Sequence, residues 1–402
     1  MKRFASPLSL AAAIILSLGA LTTANAQTFT ILHSFNSVRD GWSPQGELVL
    51  DSMGNLYGTA GGGGTYEFGA IFKLDTSGNE TVLYSFGTAK HDGGLPAGKL
   101  ALLDGHFYGT TEAGGHGIDC GRNTCGTIYE TGSGREKPLY TFESSGFSHS
   151  GGLIADGSGN LYGVASQGNG IGIVFRVSQG EVSVLYTFGE APDGAQPQGS
   201  LVIDSAGNLY GVTAGGGALG LGPSYGGTVF ELSPNPDGSW SEQILYSFAG
   251  SAGWGPTALA MDLNGNLYGV TQYGGKRMVT GCNGCGVIFK LKRNPDNSWS
   301  ERVLHTFGGE GDGRHPTGNI VLDKHGNLYG VCRQSTPPSR GAVYKLDASG
   351  NETILHSFTG GLDGADPEAG LIMDRLGNLY GTTSQGGSAS GPGKGIVFEI
   401  TP

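Results

Sequence analysis

The chain has 402 residues, enough for one large domain, and a formal charge of −11 from 23 Lys and Arg against 34 Asp and Glu. That acidic balance, with no basic block, argues against nucleic acid or an anionic membrane surface as a partner. Glycine is abundant, 77 residues, but it recurs at regular places among 16 Tyr and 17 Phe, which argues against disorder.

The first 26 residues read as a cleaved signal peptide. Lys2 and Arg3 form a basic start, Leu8 to Leu21 an apolar run too short for a membrane span, and Ala24-Asn25-Ala26 a small-x-small cleavage site. The expected mature chain begins at Gln27 and is secreted or periplasmic. No later apolar run is long enough to cross a bilayer.

From Gln27 onward two phrases alternate, seven copies of each. The first is Asn-Leu-Tyr-Gly at 55–58, 160–163, 208–211, 266–269, 327–330 and 378–381, with an altered copy, "HFYG", at 106–109. The second is "ILHSF" at 31–35 and 354–358, with variants ending at Phe86, Phe142, Phe188, Phe248 and Phe307. Self-similarity at a period of about fifty residues marks a repeat architecture. Each unit divides into four short β-type runs, here called A to D. In the first unit they are "GELVLD" 46–51, "NLYGTA" 55–60, "GAIFKLD" 69–75 and "ETVLYSF" 80–86. The A–B link, D-x-x-G-N, suits a type I turn followed by Gly at positive φ, and in the second unit it shrinks to Asp104-Gly105.

The ends of the chain choose between a ring and an open stack. Gln27 to Asn36 holds a lone D strand, and the final unit stops after its C strand. A ring uses the first strand to complete the last blade, and closure limits exposed strand edges. The expectation is therefore an all-β fold: a single domain over 27–402, a seven-bladed β-propeller of four-stranded antiparallel blades. Residues 27–36 form the closing strand. Blades are expected over 37–87, 88–143, 144–189, 190–249, 250–308 and 309–359, with 360–402 the last. The chain is expected to be a monomer.

These units resemble the GloVer tandem repeats of secreted "choice-of-anchor" bacterial proteins and, more loosely, the propeller repeats of bacterial two-component sensors. The shared pattern is D-x-x-G-N-L-Y-G-T-T, a Gly-rich loop, G-x-[IV]-F-[KE]-[LI], [VI]-L-[YH]-[ST]-F and D-G-x-x-P. The resemblance covers nearly all of 28–402. It implies export and carries no activity or catalytic residue to transfer.

Any specific function is sought in the B–C and D–A loops, which share one face and vary between copies. Asp40, Asp92, Asp193, Asp312 and Asp363 recur in the D–A loops. They suit either turn closure or a carboxylate ring at the channel mouth that acts as acid and base or holds Ca²⁺. Trp42 and Trp254, with Tyr66, Tyr225 and Tyr273, are candidates for stacking on a sugar or apolar ligand, and His91 and His315 are candidate ligands or bases. No spacing of these residues supports a metal site, and no cofactor is expected apart from that Ca²⁺. His33, His305 and His356 occupy the Tyr slot of strand D and read as structural. Two loop disulfides, Cys120–Cys125 and Cys282–Cys285, are expected, with Cys332 a buried free thiol. The leading expectation is a non-enzymatic propeller that binds a glycan or cell-surface polymer on the loop face, with a carbohydrate or cell-surface protein as its expected partner. The alternatives are a secreted hydrolase or lyase using channel-mouth carboxylates and histidines, and a protein-interaction scaffold.

Overall fold

The computed structural model describes residues 27–88, 92–114, 125–132, 135–142, 151–166, 172–189, 191–218, 226–275, 278–279, 282–309, 311–335, 339–388 and 393–401. Seven antiparallel four-stranded sheets are arranged as the blades of a propeller. The fifth blade shows the plan: Trp254–Met261, Leu267–Tyr273, Val287–Arg293 and Trp299–Thr306 in sequential antiparallel order. The last blade holds Ile372–Met373, Leu379–Thr383 and Ile396–Thr401. Its fourth strand is the first of the chain, Thr28–Ser34, in register Phe29 with Ile400 and Ile31 with Phe398. No helix among the described residues is long and apolar enough to cross a membrane.

The core lies between blades. Each of the seven seams carries its own apolar cluster, including the one that joins the last blade to the first: Val397 and Phe35 against Leu48, Leu56, Phe72 and Leu74. An open row of seven blades would have six seams, so the seventh is what closes the ring.

The repeated phrases have local physical causes. In D-x-x-G-N, Asp51 Oδ1 accepts the backbone N–H groups of Met53 and Asn55, both at 2.9 Å. Its Oδ2 accepts from the Asn55 amide at 2.7 Å and the Tyr57 hydroxyl at 3.0 Å. The phrase thus fixes a turn and ties the strand-B tyrosine to it. Asp156, Asp204, Asp262, Asp323 and Asp374 do the same for Tyr162, Tyr210, Tyr268, Tyr329 and Tyr380. In the second blade Asp104 and Gly105 both take positive φ, +51° and +78°, as a two-residue hairpin requires.

The proline of D-G-x-x-P clasps the preceding blade. Pro96, Pro197, Pro256, Pro316, Pro367 and Pro44 each lie against the glycine that opens strand C one blade back. The residue before the proline turns left-handed, at Ser43, Leu95, Gln196, His315 and Asp366. The N–H group of Leu95 then bonds Phe68 O, and that of His315 bonds Cys285 O, each at 2.8 Å.

Candidate active site in the central channel

Glycines in the A strands let neighbouring strands approach closely around the axis, with Ala258 at this position, two after the clasp proline, in the fifth blade. A Cβ on Gly46 would fall 2.4 Å from Gly98 O, and one on Gly318 2.4 Å from Gly370 N, so only glycine permits the approach at these two. The variable residues beside these glycines line a cavity of about 670 Å³ to which all seven blades contribute.

Glu47 lies in this cavity, buried, with Lys99 of the next blade 3.9 Å away. Burial pushes its carboxyl up from the usual range. Lys99, and then the side chains of Ser200 and Asn319, oppose that push. Residues of the second, fourth and sixth blades thus converge on one carboxyl of the first. Arg333 and Glu368 form a second pair at 2.9 Å across the seam of the sixth and seventh blades. Glu112, Gln272 and Tyr273 complete the polar wall. The arrangement can transfer a proton at Glu47, hold developing negative charge beside Lys99, and bind a polar ligand between them.

None of the D–A loop aspartates lines this cavity. Asp40 accepts the Ser37 N–H at 2.9 Å and hydroxyl at 2.7 Å. Asp92 accepts the Thr88 N–H at 2.7 Å and the Tyr84 hydroxyl at 2.8 Å. Asp193 accepts the Gly189 N–H at 2.6 Å and the Tyr186 hydroxyl at 3.0 Å. Asp312 accepts the Gly308 N–H at 2.9 Å, and Asp363 the Thr359 N–H at 2.9 Å. Each closes its own turn, and all but Asp40 reach the Tyr or His of the preceding D strand, His305 and His356 at 3.3 Å in the last two.

The aromatic candidates do not form one platform. Trp42 lies against Gly62 and Gly63 of its own blade, and Tyr66 stands beside Gly87. Across the ring, Trp254 stacks on Tyr273 with centroids 4.3 Å apart. Tyr273 meets the His315 ring at 5.2 Å, and His315 Nδ1 lies 3.1 Å from Gln272 O. Only Tyr273 of these reaches the cavity. Tyr225, His91 and Cys120 lie outside the described residues, as does the Cys282 side chain. Cys125 and Cys285 are buried at the entry to strand C, and Cys332 is a buried free thiol.

Glu47, Lys99, Arg333 and Glu368 were not among the residues singled out from sequence. The signal was in the copies themselves. Three residues after the clasp proline stand Glu47, Lys99, Ser200 and Asn319, and four after the strand-B tyrosine stand Glu112, Gln272 and Arg333. These are variable slots inside otherwise uniform strands.

Three solved structures share the fold. A gluconolactonase from Xanthomonas campestris is 13% identical, with 94% of this chain and 89% of that one covered and a TM-score of 0.47. A provisionally assigned 6-phosphogluconolactonase from Bacteroides uniformis is 16% identical, covering 77% and 83%, with a TM-score of 0.48. Another, from Bacteroides fragilis, is 16% identical, covering 82% and 87%, with a TM-score of 0.52. At this identity the likeness is one of fold. The leading expectation is corrected by the site itself: its polar groups converge in the channel rather than on an aromatic loop face. The reading as a non-enzymatic carbohydrate-binding propeller is therefore set aside in favour of the hydrolase alternative. No curated protein matches the chain in sequence. The model of the Gloeobacter/Verrucomicrobia repeat matches residues 19–225, 118–278 and 169–398. The chain belongs to the Gloeobacter/Verrucomicrobia repeat family.

Proposed function

We propose that this protein is a hydrolase acting on a small cyclic ester, such as a sugar lactone, in the central channel. The observation that carries the reading is the buried Glu47 carboxyl beside Lys99, in a cavity lined by all seven blades. The lactonase names of the structural neighbours supply the first substrate class to test.

In the proposed reaction, Glu47 takes a proton from water as the water oxygen attacks the ester carbonyl. The Lys99 ammonium stabilises the resulting oxyanion. Collapse breaks the ring C–O bond, and the departing alkoxide recovers the proton from Glu47, leaving a hydroxy acid. A carboxyl raised by burial is the better base for this step, because its proton affinity is closer to that of the transition state. Arg333 and Tyr273 provide polar contacts for substrate hydroxyls. We further propose that residues 1–26 direct export, and that Cys120–Cys125 and Cys282–Cys285 staple two loops above the channel.

A pH-stat screen of γ- and δ-lactones and aryl esters tests the reading. Turnover above the uncatalysed rate for at least one lactone, lost in K99M, is the expected result. No acceleration of any lactone or ester would count against it.

A further inference from the structure

The seam between the fifth and sixth blades brings three ligand-type side chains together. His305 takes the strand-D slot held by Tyr84 or Tyr186 elsewhere, and its Nε2 lies 3.3 Å from Asp312 Oδ2 and 4.0 Å from Glu352 Oε2. One ligand atom from each of the three falls within 4.8 Å of the others, and no other group of three such ligands converges among the described residues. The side chains are shielded, 18%, 6% and 11% exposed. Glu352 Oε1 is buried with no hydrogen-bond partner.

Further observations point to the same place. The buried thiol of Cys332 packs against Gly313, next to Asp312, where a Cβ would lie 2.4 Å from its Sγ. The fully buried Tyr344 hydroxyl has no hydrogen-bond partner. Two carboxyls as close as those of Asp312 and Glu352 repel when both are ionised, and a divalent cation between them removes the repulsion.

We propose that this seam binds a zinc ion through His305, Asp312 and Glu352. An imidazole with two carboxylates suits zinc, whereas calcium takes oxygen ligands alone. Binding would join two blades. The repeats supply their own controls. At the Glu352 slot the third blade carries Val182 and the closing strand carries Phe29, which stacks on His356 at 3.7 Å.

The full-length mature chain, stripped with chelator and desalted, is titrated with Zn²⁺ and followed by metal stoichiometry and thermal unfolding. One zinc per chain and a rise in Tm of about 3 °C or more are expected at saturation. Both should be lost in H305Y and in E352V, whose new side chains already occupy those slots in sister repeats. H356Y should behave as wild type. An unchanged wild-type Tm, or the same rise in H305Y, overturns the proposal. Should both variants fail to fold, the wild-type chain with Co²⁺ decides: visible ligand-field bands of a bound ion support the site, and the aqua-ion spectrum overturns it.

Discussion

Pro44 of the first blade lies against Gly395 of the last. A Cβ on Gly395 would stand 2.7 Å from Pro44 Cδ and 2.2 Å from Thr383 O, and the glycine φ is +101°. This contact is the clasp of the seam that closes the ring. Replacing Gly395 with Ala should cost about 2–4 kcal/mol, from the clash and the left-handed backbone together. Gly157 has an ordinary φ and open space around its missing Cβ. Its alanine variant should stay within about 0.5 kcal/mol of wild type. Chemical denaturation of the two variants checks the pair.

The turn aspartates predict an acid limit. For Asp323, burial works to raise the carboxyl, but hydrogen bonds from Asn327, His325 and Tyr329 outweigh it and hold the group below its ordinary value. The stability this adds is present above the unfolded value near 3.8 and is lost as pH falls through the folded one. Removing the carboxylate in D323A frees the Tyr329 hydroxyl and two turn N–H groups. The expected loss is about 1–3 kcal/mol at neutral pH, shrinking in acid as pH falls through the folded value. Unfolding curves at neutral and acid pH test this.

A second set of carboxyls predicts the opposite slope at higher pH. Burial, then the neighbouring Asp40, pushes Glu80 up to about 7, and burial with Asp193 does the same for Glu242. Each folded group holds its proton more tightly than the unfolded chain does. Its favourable contribution is complete below the unfolded value near 4.5 and is lost as pH rises towards 7. Tm should therefore peak near pH 5 and decline towards pH 8. The E80Q/E242Q double variant should flatten that decline; an equally steep one would remove these residues as its cause.

The architecture was legible because its determinants repeat. Asn-Leu-Tyr-Gly recurs since each strand-B tyrosine must meet its own turn aspartate, as Tyr57 meets Asp51 at 3.0 Å. The unmatched strands at the two ends already indicated closure. The D-G aspartates were harder to read, because a carboxylate that closes a turn and one that faces a channel look alike in sequence; the bonds from Ser37 to Asp40 and from Thr88 to Asp92 are local. The channel wall left only a faint mark, as variable slots in otherwise uniform strands. Glu47, Lys99, Ser200 and Asn319 are separated by 52 to 272 residues and meet only when the ring closes. Each alone resembles an ordinary polar residue of a strand.

Trp42 and Trp254 should now differ. Trp42 rests on Gly62 and Gly63, away from the cavity, whereas Trp254 stacks on Tyr273, which lines it. W42A should leave hydrolysis within about twofold of wild type, and W254A should raise KM by severalfold through a displaced Tyr273. Steady-state kinetics on the lactone found in the screen separates the two.

The most direct test of the channel reading is kcat/KM for that lactone in wild type and in E47Q, each at matched thermal stability. The account predicts a fall of about 10²- to 10⁴-fold in E47Q, as expected when a general base is removed, with the same Tm at neutral pH or a higher one. An E47Q enzyme that hydrolyses the lactone at the wild-type rate would contradict it.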